Sequence, residues 1–155
     1  SIILKKIIIL DAISIGFSYL IRVFAGASVI SVPVSFWLVS LIFSVSLFVV
    51  FSKRYSESLI LKEYSRVTVN KKNENIYKYL ALTSCFISCL LYSSYVVIVN
   101  VNLILSIPLT FFIFYRIIYN LFKNKMRVLS PVNTIFNDKR LIISLLSWIC
   151  IIIFN

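Results

Sequence analysis

Five long apolar runs separated by polar stretches organise the chain. The first extends from about Ile7 to Ala27 and is interrupted by Asp11 and Arg22. The second is Val34–Phe51, the third Leu80–Val99, and the fourth roughly Leu103–Ile118, with Pro108 inside it. The fifth starts at Leu141 and continues to the end of the sequence. None alternates with the period of two that marks a membrane barrel strand. In lipid, a run of this kind satisfies its own backbone hydrogen bonds only as a helix. The pattern therefore predicts an all-α fold, a polytopic transmembrane helical bundle of about five spans. The last run is short against the roughly 20 residues that a span needs. The chain also opens at Ser1, without an initiator Met or a signal peptide. The expectation is that residues 1–155 are part of a longer transmembrane domain. No internal repeat or low-complexity tract is visible.

Composition removes the main alternatives. Of the 155 residues, 61% are hydrophobic and 14% charged, against about 45–50% and about 25% in a soluble domain. A soluble chain of this length could not hide that much apolar surface, and a disordered one would not contain it. Sixteen Lys and Arg against five Asp and Glu give a net charge of +11. In a soluble protein such a balance suggests nucleic acid. Here the bases lie between apolar spans, so a membrane is the expected partner and nucleic acid is not.

The distribution of bases fixes an orientation. Lys5 and Lys6 precede the first run. Lys53, Arg54, Lys62, Arg66, Lys71, Lys72 and Lys78 lie between the second and third, and Arg116, Lys123, Lys125, Arg127, Lys139 and Arg140 between the fourth and fifth. If the helices alternate, only Arg22 is on the other side. The connections around Ser28–Pro33 and Asn100–Asn102 carry no charge. The positive-inside rule puts the basic side in the cytoplasm, and a bacterial inner membrane is the expected location. Both basic connections are long. The first, about Lys53–Lys78, has room for a short amphipathic helix, with Leu59, Ile60, Glu63 and Val67 in partial helical spacing. The second holds Ser130–Pro131 and then Asn137–Asp138–Lys139–Arg140, where an Asn or Asp before an apolar run fits a helix cap.

Few side chains carry chemistry. There is no His, and Cys85, Cys89 and Cys150 lie inside apolar runs without CxxC spacing, as packing residues do. Asp11 lies about 9 Å of helix beyond Lys5. An acid at that depth faces a bundle interior or a wet cavity, either for function or to pair with another helix. Arg22 lies about 25 Å of helix from Lys5, where it can snorkel to headgroups or reach the carbonyls of the short loop after Gly26. Lys53-Arg54-x-x-Glu57 closes the second run. Two cations beside a carboxylate suit a phosphorylated ligand, with Arg as a planar fork and Lys as a point charge, and Glu57 could hold Mg²⁺. The same residues also fit a plain interfacial anchor. So do Arg116 and Asp138–Lys139–Arg140. The chain has no Gly-rich phosphate loop and no DxxxD pair.

Taken together, these residues resemble a family. Ser1–Ala27 looks like the fifth helix of UbiA-type membrane transferases, closest to the branch containing decaprenyl-phosphate phosphoribosyltransferase. That branch tends to show YSxxLK, LD, Y/F-x-x-R and AG, matched here by Ser1, Leu4, Lys5, Leu10, Asp11, Tyr19, Arg22, Ala25 and Gly26. A second helix beginning PxSxW and ending KRxxE is matched by Pro33, Ser35, Trp37, Lys53, Arg54 and Glu57. Arg116, Pro131 and Asp138 continue the likeness more weakly. The first 57 residues are its specific part.

The resemblance implies helices five to nine of a nine-helix fold, with the family's NDxxDxxxD motif upstream of this chain. It implies transfer of a 5-phosphoribosyl group from phosphoribosyl diphosphate to a polyprenyl phosphate, assisted by Mg²⁺. Lys5, Lys53 and Arg54 would hold phosphate and Glu57 a metal, with Asp11, Arg22, Arg116 and Asp138 as further polar candidates. Lys5, Lys53, Arg54 and Glu57 are expected to converge on one cytoplasm-facing cavity, and the isolated chain is expected to be inactive. The aromatic-acceptor prenyltransferases of the superfamily carry DxxxD where this chain has KRxxE. They remain an alternative, as does a non-catalytic membrane subunit or transporter half, for which Pro108 would mark a broken helix. A homo-oligomer is compatible with all three readings.

Overall fold

The computed structural model of the protein describes residues 8–64, 71–123 and 138–154. Among them are five α-helices: α1 (Ile8–Val29), α2 (Phe36–Tyr64), α3 (Lys71–Ile98), α4 (Ser106–Lys123) and α5 (Lys139–Phe154). A 3-10 turn, Val101–Leu105, leads into α4. There is no strand among the described residues. Four stretches of the described residues are long and apolar enough to cross a membrane: Leu10–Val29, Phe36–Ser58, Asn75–Ile98 and Val101–Phe122. At 16 residues, α5 is shorter than these.

The helices outrun the apolar stretches on the basic side. α2 continues to Tyr64 and α3 already begins at Lys71, so most of the expected loop Lys53–Lys78 is helix. Lys53 and Arg54 stand within α2 and do not close it. Leu59, Ile60 and Glu63 extend that same helix and form no separate one; Val67 lies outside the described residues. The physical reason is that an apolar run records contact with lipid. Lys, Arg and Glu are good helix formers and carry the helix on into water, aided by the i,i+4 pair Lys53–Glu57 at 4.0 Å. Lys5, Ser130, Pro131 and Asn137 also lie outside the described residues.

At the uncharged end the connections are built tightly. α1 closes with Ser31 N–H bonded to Ser28 C=O at 3.4 Å and Val32 N–H bonded to Ala27 C=O at 3.1 Å. This is the paired closure of a Schellman motif. Its left-handed position is held by Ser31, at φ 54°, where glycine is usual. Pro33 follows, and Ser35 Oγ caps α2 by accepting from Leu38 N–H at 3.2 Å. Pro108 is the third residue of α4. There the missing N–H had no partner in the helix anyway, so Pro108 stands at a helix start and not inside a broken helix.

α2 packs between α1 and α3, and α4 packs on α5 and α3. The core runs through Ala12, Phe48, Phe51, Ala81, Cys85, Cys89, Ile113, Ile117 and Leu141. Gly16 lets α1 approach α2 closely: a Cβ there would lie 2.8 Å from the Phe43 ring and 3.2 Å from Ser46 Oγ. Between α2 and α3 the buried positions include Ser44, Ala81, Ser84, Cys85, Ser88 and Cys89. Small residues allow close backbone approach where lipid offers no hydrophobic drive. Their hydroxyls mostly bond to their own helix, as Ser44 to Leu41 C=O, Ser84 to Leu80 C=O and Ser88 to Ser84 C=O. The outside is apolar, with Phe24, Phe36, Phe86, Ile98 and Ile143 among the exposed side chains.

Candidate functional site

Among the described residues, ion pairs at the basic end fall into two groups. In the first, Arg54 on α2 reaches across to α1. Its Nη2 donates to Asp11 Oδ2 at 2.5 Å and its Nη1 to Glu57 Oε2 at 3.4 Å. Lys53 Nζ lies 4.0 Å from the other Glu57 oxygen. The Asp11 side chain is 20% exposed and that of Arg54 39%, so the acid sits behind the guanidinium and the fork lies nearer solvent. Asp11 therefore satisfies the need of a membrane acid for a partner by pairing with another helix. Two carboxylates and two cations balance in charge.

The second group joins α4 to α5. Asp138 Oδ2 accepts from Arg116 Nε at 2.6 Å and from Asn120 Nδ2 at 2.8 Å. Its Oδ1 accepts the backbone N–H of Arg140 at 3.1 Å, which makes Asp138 the N-cap of α5, as its position before the apolar run suggests. The Arg116 contact is the main cause that holds the Asp138 carboxyl below its ordinary value, at about 2. Lys78 on α3 stands 4.9 Å over the Phe122 ring of α4, whose other neighbour is Tyr55 on α2. Arg22, exposed on α1, lies 5.4 Å over the Tyr19 ring.

A cavity of about 730 Å³ opens among α2, α3, α4 and α5. Its walls are apolar and aromatic, with Trp37, Phe48, Tyr95, Ile113, Phe114 and Trp148 prominent. One directed hydrogen-bond chain runs along the wall. Ser106 Oγ donates to Leu103 C=O at 2.5 Å, so its single hydrogen is used. Tyr92 OH, 2.6 Å from Ser106 Oγ, must then be the donor between them, and it accepts from Trp148 Nε1 at 3.1 Å. The chain ties α3, α4 and α5 together.

Of the four residues expected to converge on one cytoplasm-facing cavity, three are among the described residues. Lys53, Arg54 and Glu57 do come together, but they do not line this cavity. Arg54 is drawn to Asp11 on the α1 side of α2, whereas Leu38, Leu41, Val45 and Phe48 present the opposite side to the cavity. Lys5, the fourth member, lies outside the described residues. Asp11 and Glu57 each give one carboxylate oxygen to Arg54. Among the described residues no group of three or more Cys, Asp or Glu could hold a metal ion. Cys85 and Cys89 are buried and free, and Cys150 is exposed and free.

Asn120 and the Tyr92–Ser106–Trp148 chain were not apparent in the sequence. Asn120 left one local signal, an amide one turn after Arg116 at the end of an apolar run. Tyr92 and Trp148 left none, because their pairing spans 56 positions. Comparison of the chain with protein-family models, with curated proteins and with solved structures gave no match.

Proposed function

We propose that this chain is the C-terminal half of a UbiA-type membrane transferase that moves a 5-phosphoribosyl group from phosphoribosyl diphosphate to a polyprenyl phosphate. The observation that carries the reading is the meeting of Asp11 and Glu57 on Arg54. The resemblance to the family singled out both stretches, and the fold joins them in one ionic group. In this reading α1 to α5 are helices five to nine, α5 is the fifth span, and the basic end faces the cytoplasm of a bacterial inner membrane.

Lys53 and the solvent-side N–H groups of Arg54 hold phosphate oxygens of the donor or the lipid. An oxygen of the lipid phosphate attacks the anomeric carbon of the donor, the bond from that carbon to diphosphate breaks, and diphosphate leaves with the electron pair. The protein contributes alignment and charge stabilisation. The apolar cavity among α2–α5 suits part of a polyprenyl tail, being of the size and character of a ligand pocket. The resemblance assigns Mg²⁺ to a motif outside this chain, and no step here depends on it.

Substitution at Arg54 in the intact membrane protein tests the reading. A lost charge-assisted hydrogen bond costs roughly 1.5–3 kcal/mol, or about 10- to 100-fold. Arg54→Ala should reduce use of donor or acceptor by at least that order, and Arg54→Lys should rescue poorly because it lacks the fork. One observation favours a non-catalytic subunit instead: the balanced charges of the Arg54 group suit a helix staple. Wild-type turnover by a folded Arg54→Ala protein would reduce the group to a helix staple, and absence of turnover in the unsubstituted intact protein would decide for the non-catalytic subunit.

A further inference from the structure

We propose that Asp11 is a positioning residue, setting the Arg54 guanidinium for phosphate recognition; this rests on the transferase reading above. A guanidinium has five N–H donors in one plane. Among the described residues, Asp11 takes one at Nη2 and Glu57 takes one at Nη1. Two acids from different helices thus grip the plane at two points and leave three N–H groups for a ligand. The two grips are unequal. Glu57 is three residues away on α2 at 3.4 Å, a loose local contact that travels with Arg54. Asp11 is at 2.5 Å and comes from α1, so it fixes the fork against a second helix.

The Asp11 anchor is itself held firmly. Ala12, the next residue, is buried in the core at 1% exposure. One turn further on, Gly16 brings α1 against Phe43 and Ser46 of α2. The acid therefore cannot follow a wandering Arg side chain; the side chain must come to it. Phosphate prefers two parallel N–H bonds from a fork in a fixed plane, and fixing that plane beforehand removes an ordering cost from binding. Asp11 touches no substrate in this arrangement. It acts through Arg54.

The test measures the affinity of the intact protein for phosphoribosyl diphosphate on the folded, monodisperse fraction, with thermal stability recorded in parallel. Asp11→Asn should weaken donor binding at least about tenfold. Asp11→Glu, which keeps the carboxylate one methylene further out, should recover part of that loss. Because Asp11 acts only through the fork, Asp11→Asn combined with Arg54→Lys should bind no worse than Arg54→Lys alone. A merely structural acid would change stability and leave the affinity of the folded fraction untouched. Wild-type affinity in Asp11→Asn, or losses that multiply in the double variant, overturns this inference alone. A wild-type protein that does not bind the donor overturns the transferase reading and this inference with it.

Discussion

Replacing Tyr92 by Phe removes one oxygen and cuts the hydrogen-bond chain in the middle. Trp148 Nε1–H loses its acceptor at 3.1 Å, and Ser106 Oγ loses its donor at 2.6 Å. Ser106 keeps its bond to Leu103 C=O, so only its acceptor side is stranded. In water-soluble proteins a stranded buried donor costs about 1–3 kcal/mol. Between membrane helices measured couplings are smaller, averaging about 0.6 and reaching about 1.7 kcal/mol. Two lost interhelical bonds therefore predict a loss of about 1–3 kcal/mol for Tyr92→Phe. The ring remains, so the 6.1 Å contact with Trp148 and the cavity wall are kept and add no packing loss. Unfolding free energy in detergent micelles, measured for Tyr92→Phe, Trp148→Phe and the double variant, separates the terms. The cycle should give a coupling of about 0.6–1.7 kcal/mol. A Tyr92→Phe loss within 0.3 kcal/mol of zero, or a coupling of zero, would refute the tie that the hydroxyl makes between α3 and α5; the first of these limits is roughly half the mean coupling.

Three further outcomes are expected. Gly16→Ala should destabilise by about 1–3 kcal/mol through overpacking, because its Cβ would meet the Phe43 ring at 2.8 Å; a neutral effect in the same micelle assay would mean that α1 is free to retreat. Ser31→Gly should stabilise by up to about 1–2 kcal/mol, the cost of holding an L side chain in the left-handed region, with φ 54° as the reason; destabilisation would contradict the Schellman closure. The carboxyl of Asp138 titrates lower when folded than its ordinary value of 3.8, at about 2. Its contribution is therefore complete above about pH 4 and lost as pH falls towards about 2, and Asp138→Asn should remove that acid-sensitive component from a pH series of unfolding measurements.

The apolar runs were legible because lipid imposes a demand that few sequences meet by accident. Five helices could be marked, and their uncharged ends fell close to where the structure puts them. The basic ends were not legible in the same way. The segment from Lys53 to Lys78 stops being apolar without ceasing to be helical, and hydropathy alone reads that change as a loop. Asp138 was readable as a cap because capping is decided by neighbours in sequence. That Asp11 needs a partner was readable from its depth, but that the partner is Arg54 was not, since 43 positions separate the two and Arg54 alone fits an ordinary interfacial anchor. That Arg54 turns towards α1, away from the cavity, is likewise a result of which helix supplies the acid.

The seam between α2 and α3 has a consequence for how this sequence can drift. A Ser whose hydroxyl bonds to its own helix, as Ser84 does to Leu80 C=O, presents its neighbour with little except a small volume. Ala and Cys present nearly the same volume, and both already stand on this seam as Ala81, Cys85 and Cys89. Related chains should therefore exchange Ser, Ala and Cys along it at little cost, while Val or Leu there would force the backbones apart. Ser44 and Ser88, whose oxygens lie 3.1 Å apart across the seam, should drift as a pair. Likeness between such chains would fade to the eye at these positions while the spacing of the two helices stayed the same.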